Sequence, residues 1–157
     1  MEYTAFADAE RHGWSEDARA AAYVDLFAPV SDQLIPSLIS AIEPHQGKTV
    51  LDLCCGHGNV AGALVNTGAA VTGLDFSPAM LSLARSRVPG ASFVEGDAAS
   101  LPFEDGQFDA VVCNVGFGHL PRPEAVLSEI ERVLRPAGVA ALTSWREPEV
   151  SATFQIV

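Results

Sequence analysis

The sequence predicts a doubly wound α/β domain built on a mostly parallel sheet. Three observations carry that expectation. From Thr49 onward, short apolar runs alternate with amphipathic stretches. The first apolar run ends in a glycine-rich turn that opens a helix, and the second ends in a carboxylate, Asp75. Strands alternating with helices imply βαβ units and a sheet covered on both faces, and right-handed crossovers leave few other topologies.

Residues 15–42 read as two helices, with Ser15 as an N-cap and with Pro29 and Ser31 between the segments. TVLDLC, Thr49 to Cys54, is the first strand. A helix over residues 58–67 ends near Gly68. AAVTGLD is the second strand. SPAMLSLARSRV is a helix with Ser77 as N-cap and Pro78 at the first helical position, where its missing N–H costs nothing. ASFVEG and FDAVVCN are the third and fourth strands. PEAVLSEIERVLRP is a helix with Leu127, Ile130 and Leu134 expected on one face, and GVAALTSW is the fifth strand.

A chain of 157 residues is one domain by default, and it can bury about 68–70% of its unfolded surface. Residues 1–45 form a helical cap and residues 46–147 the core. Nine basic residues against twenty acidic ones leave a net charge of -11, which disfavours nucleic acid and anionic membranes as partners. Cys54, Cys55 and Cys113 are odd in number and two are adjacent, so a disulfide framework is not expected. Reduced thiols fit a cytoplasmic protein. His12, His45, His57 and His119 are too dispersed for a local zinc motif, so no metal is expected. The acidic start MEYTAFADAE lacks the apolar core of a signal peptide. Leu53 to Leu74 is uncharged, but its glycines, asparagines and histidine argue against a membrane span.

The segment LDLCCGHGN poses the functional question, because Asp52 stands where a buried strand should stay apolar. Gly56-His57-Gly58-Asn59-Val60-Ala61 fits G-x-G-x-x-A between a strand and a helix, and Asp75 closes the next strand. Glycines let backbone approach a nucleotide-like ligand, and the second carboxylate takes ribose hydroxyls. A glycine turn of this kind also serves simply to pack helix against strand. Asp52 separates the ligand classes: it would repel a pyrophosphate at the helix N-terminus and attract a ligand with cationic groups. S-adenosylmethionine has ribose, adenine, sulfonium and ammonium but no phosphate. Asp52 would act on it through water or loop backbone, or else serve as a buried acceptor bracing the turn.

With these motifs in order, the chain resembles class I S-adenosylmethionine-dependent methyltransferases of the small-molecule type, similar to those of ubiquinone and menaquinone biosynthesis. The resemblance covers roughly residues 20–145. LDLCCGHG resembles the first motif, LDFSPAML the second, VEGDAASLPF the third, FDAVVCNVGFGHL the fourth strand and its loop, and LSEIERVLRPAGVAALTSW the stretch usually ending in R-P-G-G. The resemblance implies a Rossmann-like fold with strand order 3-2-1-4-5-7-6, methyl transfer, and S-adenosylmethionine as cofactor. It also implies a ribose contact at Asp75, an adenine-amino contact at Asp97, a backbone N–H at Ala98, and ligand contact near Gly56, Gly58 and Asn114. Cys54 stands where the family has glycine, so the turn must accept a Cβ that the ligand could pack against; Ala137 replaces the first glycine of R-P-G-G. The loop NVGFG lacks the N/D-P-P-Y/F pattern of amide methyltransferases, which points to a small-molecule acceptor. The family continues beyond a fifth strand, so residues 148–157 are expected to begin a further C-terminal part, and the fifth-strand edge is expected to self-associate if uncovered.

Several residues keep two readings. Phe76 stacks on adenine or packs in the core, and Met80 does either at the same helix. Cys54 and Cys55 are a redox pair or, more simply, small buried hydrophobes. His119 is a general base facing the methyl group or a loop brace. Trp14 and Tyr23 close over the cofactor or pack locally. A catalytically silent S-adenosylmethionine-binding module and a nicotinamide oxidoreductase are the alternative functions.

Overall fold

The computed structural model describes residues 3–14, 17–43 and 46–144. Its elements run α1 Tyr3–Trp14, α2 Asp17–Leu26, α3 Ala28–Ser31, a 3-10 turn Asp32–Leu34, α4 Ile35–Ala41, β1 Thr49–Leu53, α5 Asn59–Val65, β2 Ala70–Asp75, α6 Pro78–Arg87, β3 Ser92–Glu95, β4 Phe108–Asn114, a 3-10 turn Gly116–His119, α7 Pro123–Val133 and β5 Leu134–Thr143. The five described strands form one parallel sheet in the order β3-β2-β1-β4-β5. The order reverses between β1 and β4. In doubly wound sheets, ligands bind at the strand C-termini beside such a reversal.

Side-chain alternation divides the apolar residues between two faces. Val50, Val71, Ala110 and Val112 pack with Leu38 of α4 and Val60, Ala61 and Leu64 of α5. Leu51, Leu53, Val111 and Cys113 pack with Val126, Ile130 and Val133 of α7. Burying these branched side chains contributes roughly 1.5–3 kcal/mol each. The β1 residues are buried from Val50 to Leu53, as expected for a central parallel strand.

Ser77 caps α6 as the sequence predicts, accepting from the Met80 N–H at 3.3 Å with Pro78 in the first turn. Four expectations need correction. An additional helix, α1, precedes the two anticipated ones. The 15–42 segment breaks at Phe27, not at Pro29, because Pro29 suits the first turn of α3. Leu127 is 48% exposed, and the buried stripe of α7 is Val126, Ile130 and Val133; the helix is rotated so that the shorter β-branched residues meet the sheet. Leu134 already belongs to β5, which starts four residues before Gly138 and accommodates the extra length through an irregularity opposite Phe108 and Ala110. Ser15 as an N-cap and Trp145 lie outside the described residues.

Candidate functional site

A cavity of about 430 Å³ opens above the C-terminal ends of β1, β2 and β4, within the range of small-ligand sites. Of the sequence-predicted residues, Cys54, Gly56, Asp75, Phe76, Met80, Asn114 and His119 line it. Its roof comes from the helical cap: Trp14 of α1, Tyr23 and Leu26 of α2, and Phe27. Val115, Gly116 and Leu120 of the loop after β4 complete the wall. Asp52, Gly58, Asp97 and Ala98 do not line it.

The turn after β1 is held by Asp75. Its carboxylate accepts the Gly56 N–H at 2.8 Å and the Ser77 N–H at 2.9 Å. Burial raises the carboxyl above the ordinary carboxylate range, while the Ser77, Gly56 and Phe76 amides pull it back. Each oxygen retains a further lone pair for a ligand hydroxyl. Gly58, at φ +88°, is the left-handed N-cap of α5 and abuts α6: a Cβ there would meet the Ala84 Cβ at 3.2 Å. Its role is close packing of the turn on the neighbouring helix.

Asp52 lies beneath the turn. It pairs in register with Gly73 and Val112 and is 1% exposed, with neither carboxyl oxygen in a well-formed hydrogen bond and only the Ala61 amide acting on it. Burial pushes its carboxyl up to about 8; the Ala61 amide opposes this and the Asp75 charge adds to it. Burial thus favours the uncharged acid over the fixed negative charge that the sequence suggests. The third unpartnered buried side-chain atom among the described residues is Nε2 of His57, in the same turn. Burial and the Arg87 charge lower this imidazole below its ordinary value, against the pull of Asp32.

Cys54 adopts φ +56°, a left-handed conformation that favours glycine. Its side chain fits because Gly116 has none: a Cβ on Gly116 would stand 2.5 Å from the Cys54 Cβ. The thiols of Cys54 and Cys55 diverge, the first toward Gly116 and the second toward Gly73. Contact with the Cys113 thiol, then burial, raises the Cys54 thiol well above its ordinary value. Burial does the same for Cys55. Both are protonated at neutral pH, which suits small buried hydrophobes and not a redox pair.

The loop after β4 is fixed by a polar relay. The Asn114 side chain donates to the Ser31 carbonyl at 3.1 Å, the Thr143 hydroxyl donates to Asn114 Oδ1 at 2.7 Å, and the Val115 N–H donates to Thr143 Oγ1 at 3.0 Å. Val115 sits at φ +61°, an outlying conformation for a β-branched residue that these bonds help to hold. The cap is pinned to the site in turn, since the Ser77 hydroxyl donates to the Trp14 carbonyl at 2.7 Å.

His119 is reached from α1. Its Nδ1 lies 2.9 Å from Glu10 Oε2, which also accepts the Trp14 indole N–H at 3.1 Å. The Trp14 ring meets His119 edge-on at 5.7 Å and Tyr23 edge-on at 5.0 Å. Tyr23 stacks with Phe27 at 6.3 Å. Glu10, Phe27 and Val115 were not singled out by the sequence reading. The i,i+4 spacings Glu10–Trp14 and Tyr23–Phe27 are legible signals once the helices are known.

Asp97 stands in the loop after β3, where its carboxylate accepts the Ala99 N–H at 2.9 Å and meets Arg122 at 3.4 Å. Those contacts tie it to its own loop and to the start of α7. Ala98 beside it is buried in the α7-side core. Arg132 braces the following segment through the Leu101 and Phe103 carbonyls and the carboxylates of Asp105 and Glu129. Among the described residues, no cluster of three His, Cys, Asp or Glu side chains could hold a metal, and no helix is long and apolar enough to cross a membrane.

A doubly wound parallel sheet with a glycine turn after β1 and a carboxylate ending β2 defines a Rossmann-like nucleotide-binding architecture. Residues 51–142 match the family described as Methyltransferase domain, and the chain belongs to that family. A Synechocystis sp. protein named methyltransferase sll0829 is 42% identical over 110 residues, covering 69% of this chain and 51% of the relative. The demethylmenaquinone methyltransferase of Clavibacter sepedonicus is 39% identical over 113 residues, covering 70% and 46%. A solved structure from Bacillus halodurans C-125, described as a methyltransferase, superposes with TM-score 0.69 at 30% identity, covering 78% of this chain and 55% of that one. The chain thus spans about half the length of these curated relatives.

Proposed function

We propose that this chain binds S-adenosylmethionine in the cavity above β1, β2 and β4 and transfers its methyl group to a small, largely apolar acceptor. The observation that carries this reading is Asp75: it closes β2, lines the cavity and fastens the Gly56 amide of the turn. The orphaned, buried carboxyl of Asp52 fits a ligand with a positively charged end, because such a ligand would favour its ionised form. Bound there, the cofactor supplies a sulfonium-activated methyl group.

The chain's own residues then bind, orient and exclude water. Asp75 offers its remaining lone pairs to the ribose hydroxyls. Gly56 and Cys54 present the turn, Phe76 and Met80 flank the adenine side, and Asn114 stands at the methionine end. Gly58 keeps the turn close to α6. Asp97 and Ala98 are assigned to the adenine edge by resemblance alone. The cap aromatics Trp14, Tyr23 and Phe27 shield the reaction from water and suit an apolar acceptor, in keeping with the demethylmenaquinone in one relative's name. Holding donor and acceptor in line can supply about 7–11 kcal/mol of the barrier. His119 takes the acceptor's proton where one must leave. The protein functions in the cytoplasm on this reading.

Calorimetry with S-adenosylhomocysteine and NADH tests the ligand class: the first is expected to bind and the second is not. Formation of S-adenosylhomocysteine from S-adenosylmethionine with reduced naphthoquinones as probe acceptors tests turnover. Binding without turnover across hydroxylated aromatic probes would favour the catalytically silent module. Micromolar NADH binding would favour the oxidoreductase.

A further inference from the structure

Glu10 comes from the first helix, 109 residues away in sequence from His119, yet its carboxylate lies 2.9 Å from His119 Nδ1. The same Oε2 accepts the Trp14 indole N–H at 3.1 Å, so its direction is set from two sides. Glu10 is three-quarters screened from solvent on its side chain, at 23% exposure. The Trp14 ring lies edge-on to the imidazole at 5.7 Å, and the Trp14 carbonyl is bound to the Ser77 hydroxyl of the turn after β2. The Glu10–Trp14–His119 cluster is thereby referenced to the β2 end, where Asp75 stands. A carboxylate can only accept, so the neutral imidazole must carry its proton on Nδ1 to satisfy this contact. Nε2 then carries the lone pair, the state that a general base requires.

We infer that Glu10 is a positioning residue that fixes His119 in the Nδ1–H tautomer, so that its Nε2 lone pair is available at the cavity wall. The inference rests on the methyl-transfer reading for its use but not for its test. In that use, the acceptor's O–H or C–H proton passes to Nε2 as the methyl group moves to the electron pair it leaves. The resulting imidazolium then returns its proton to solvent. The helical cap accordingly does more than cover the site: it sets which nitrogen of the loop histidine is basic.

The test is the nitrogen-15 spectrum of the histidine side chains in the full chain, with His119 assigned by His119→Gln and recorded at alkaline pH where imidazoles are neutral. The unmodified chain is expected to show His119 with protonated Nδ1 and unprotonated Nε2. Glu10→Leu, which removes the acceptor from both Nδ1–H and the Trp14 indole, should move the population toward the Nε2–H form that free imidazoles favour. Glu10→Asp should restore part of the original pattern. Carbethoxylation of the peptide bearing His119, read by mass spectrometry, should slow several-fold in Glu10→Leu. An Nε2–H tautomer in the unmodified chain, or identical spectra for it and a Glu10→Leu variant with native circular dichroism, would overturn the inference. Absence of methyl transfer in every assay would instead count against the proposed function and leave the tautomer result standing on its own.

Discussion

Cys54 occupies the space that a side chain on Gly116 would need, with the two Cβ positions only 2.5 Å apart. The first lies after β1 and the second after β4, so the relationship joins two walls of one cavity. Gly116→Ala should cost about 1–3 kcal/mol as an overpacking substitution. In a Cys54→Gly background much of that loss should disappear, giving a coupling energy of about 0.5–3 kcal/mol. Urea unfolding of the two single variants and the double variant measures it. Strict additivity would show that the backbone absorbs the clash elsewhere.

Asp75 should have two separable effects. Asp75→Ala removes the acceptor for the Gly56 and Ser77 amides, and each buried donor left unpaired costs about 1–3 kcal/mol. Loss of a charged hydrogen bond to the ribose should also weaken S-adenosylhomocysteine binding about 10–150-fold. Thermal unfolding and calorimetry on the same variant distinguish the two. Lower stability with unchanged affinity would confine Asp75 to bracing the turn.

Asp52 gives a pH dependence of stated sign. Its folded pKa is raised from 3.8 to about 8, so between those values the folded chain holds a proton that the unfolded chain releases. Stability from this group is full below about pH 4 and falls as pH rises toward 8. Asp52→Asn should flatten that decline, as read from urea midpoints at about pH 5 and pH 8. A cationic ligand that draws the proton off should bind more tightly as pH rises toward 8. Titration calorimetry of S-adenosylmethionine at neutral pH in buffers of different ionisation enthalpy should therefore register proton release, and Asp52→Asn should abolish it. The unmodified chain and Asp52→Asn should both fail to bind NADH.

Thr143 closes the relay that holds the loop after β4. Thr143→Val keeps the shape but leaves the Val115 N–H and Asn114 Oδ1 without that hydroxyl, at a cost of about 1–3 kcal/mol. Amide exchange should accelerate from Val115 to His119 more than in β4 itself. Equal protection throughout would mean that the loop is held by its apolar contacts.

The outer edge of β5 should pair with a second chain. Among the described residues β5 has β4 on one side only, and Val139 and Leu142 are 41% and 37% exposed. Gly138 to Ser144 carries no charge to oppose edge pairing. Light scattering of the 157-residue chain should show association that Leu142→Lys reduces. A monodisperse monomer at high concentration would remove this expectation.

What the sequence determined by itself was local and periodic. The strand runs, the Ser77-Pro78 start of α6, the glycine turn after β1 and the carboxylate ending β2 could all be read, because each depends on near neighbours in the chain. The strand order was implied by the family resemblance and not by these signals, and the observed β3-β2-β1-β4-β5 agrees with its first five strands. The rotation of α7 was not legible: Leu127 and Val126 are both apolar, and only packing on the sheet shows that Val126 is inside. Nor could the charge state of Asp52 be read, because its dehydration comes from β2, β4 and α5 closing around it. Only the tertiary structure brought Glu10 to His119 and set Cys54 into the space Gly116 leaves open. Such contacts join residues far apart in sequence, and their geometry is fixed by how the cap, the sheet and the loops pack together.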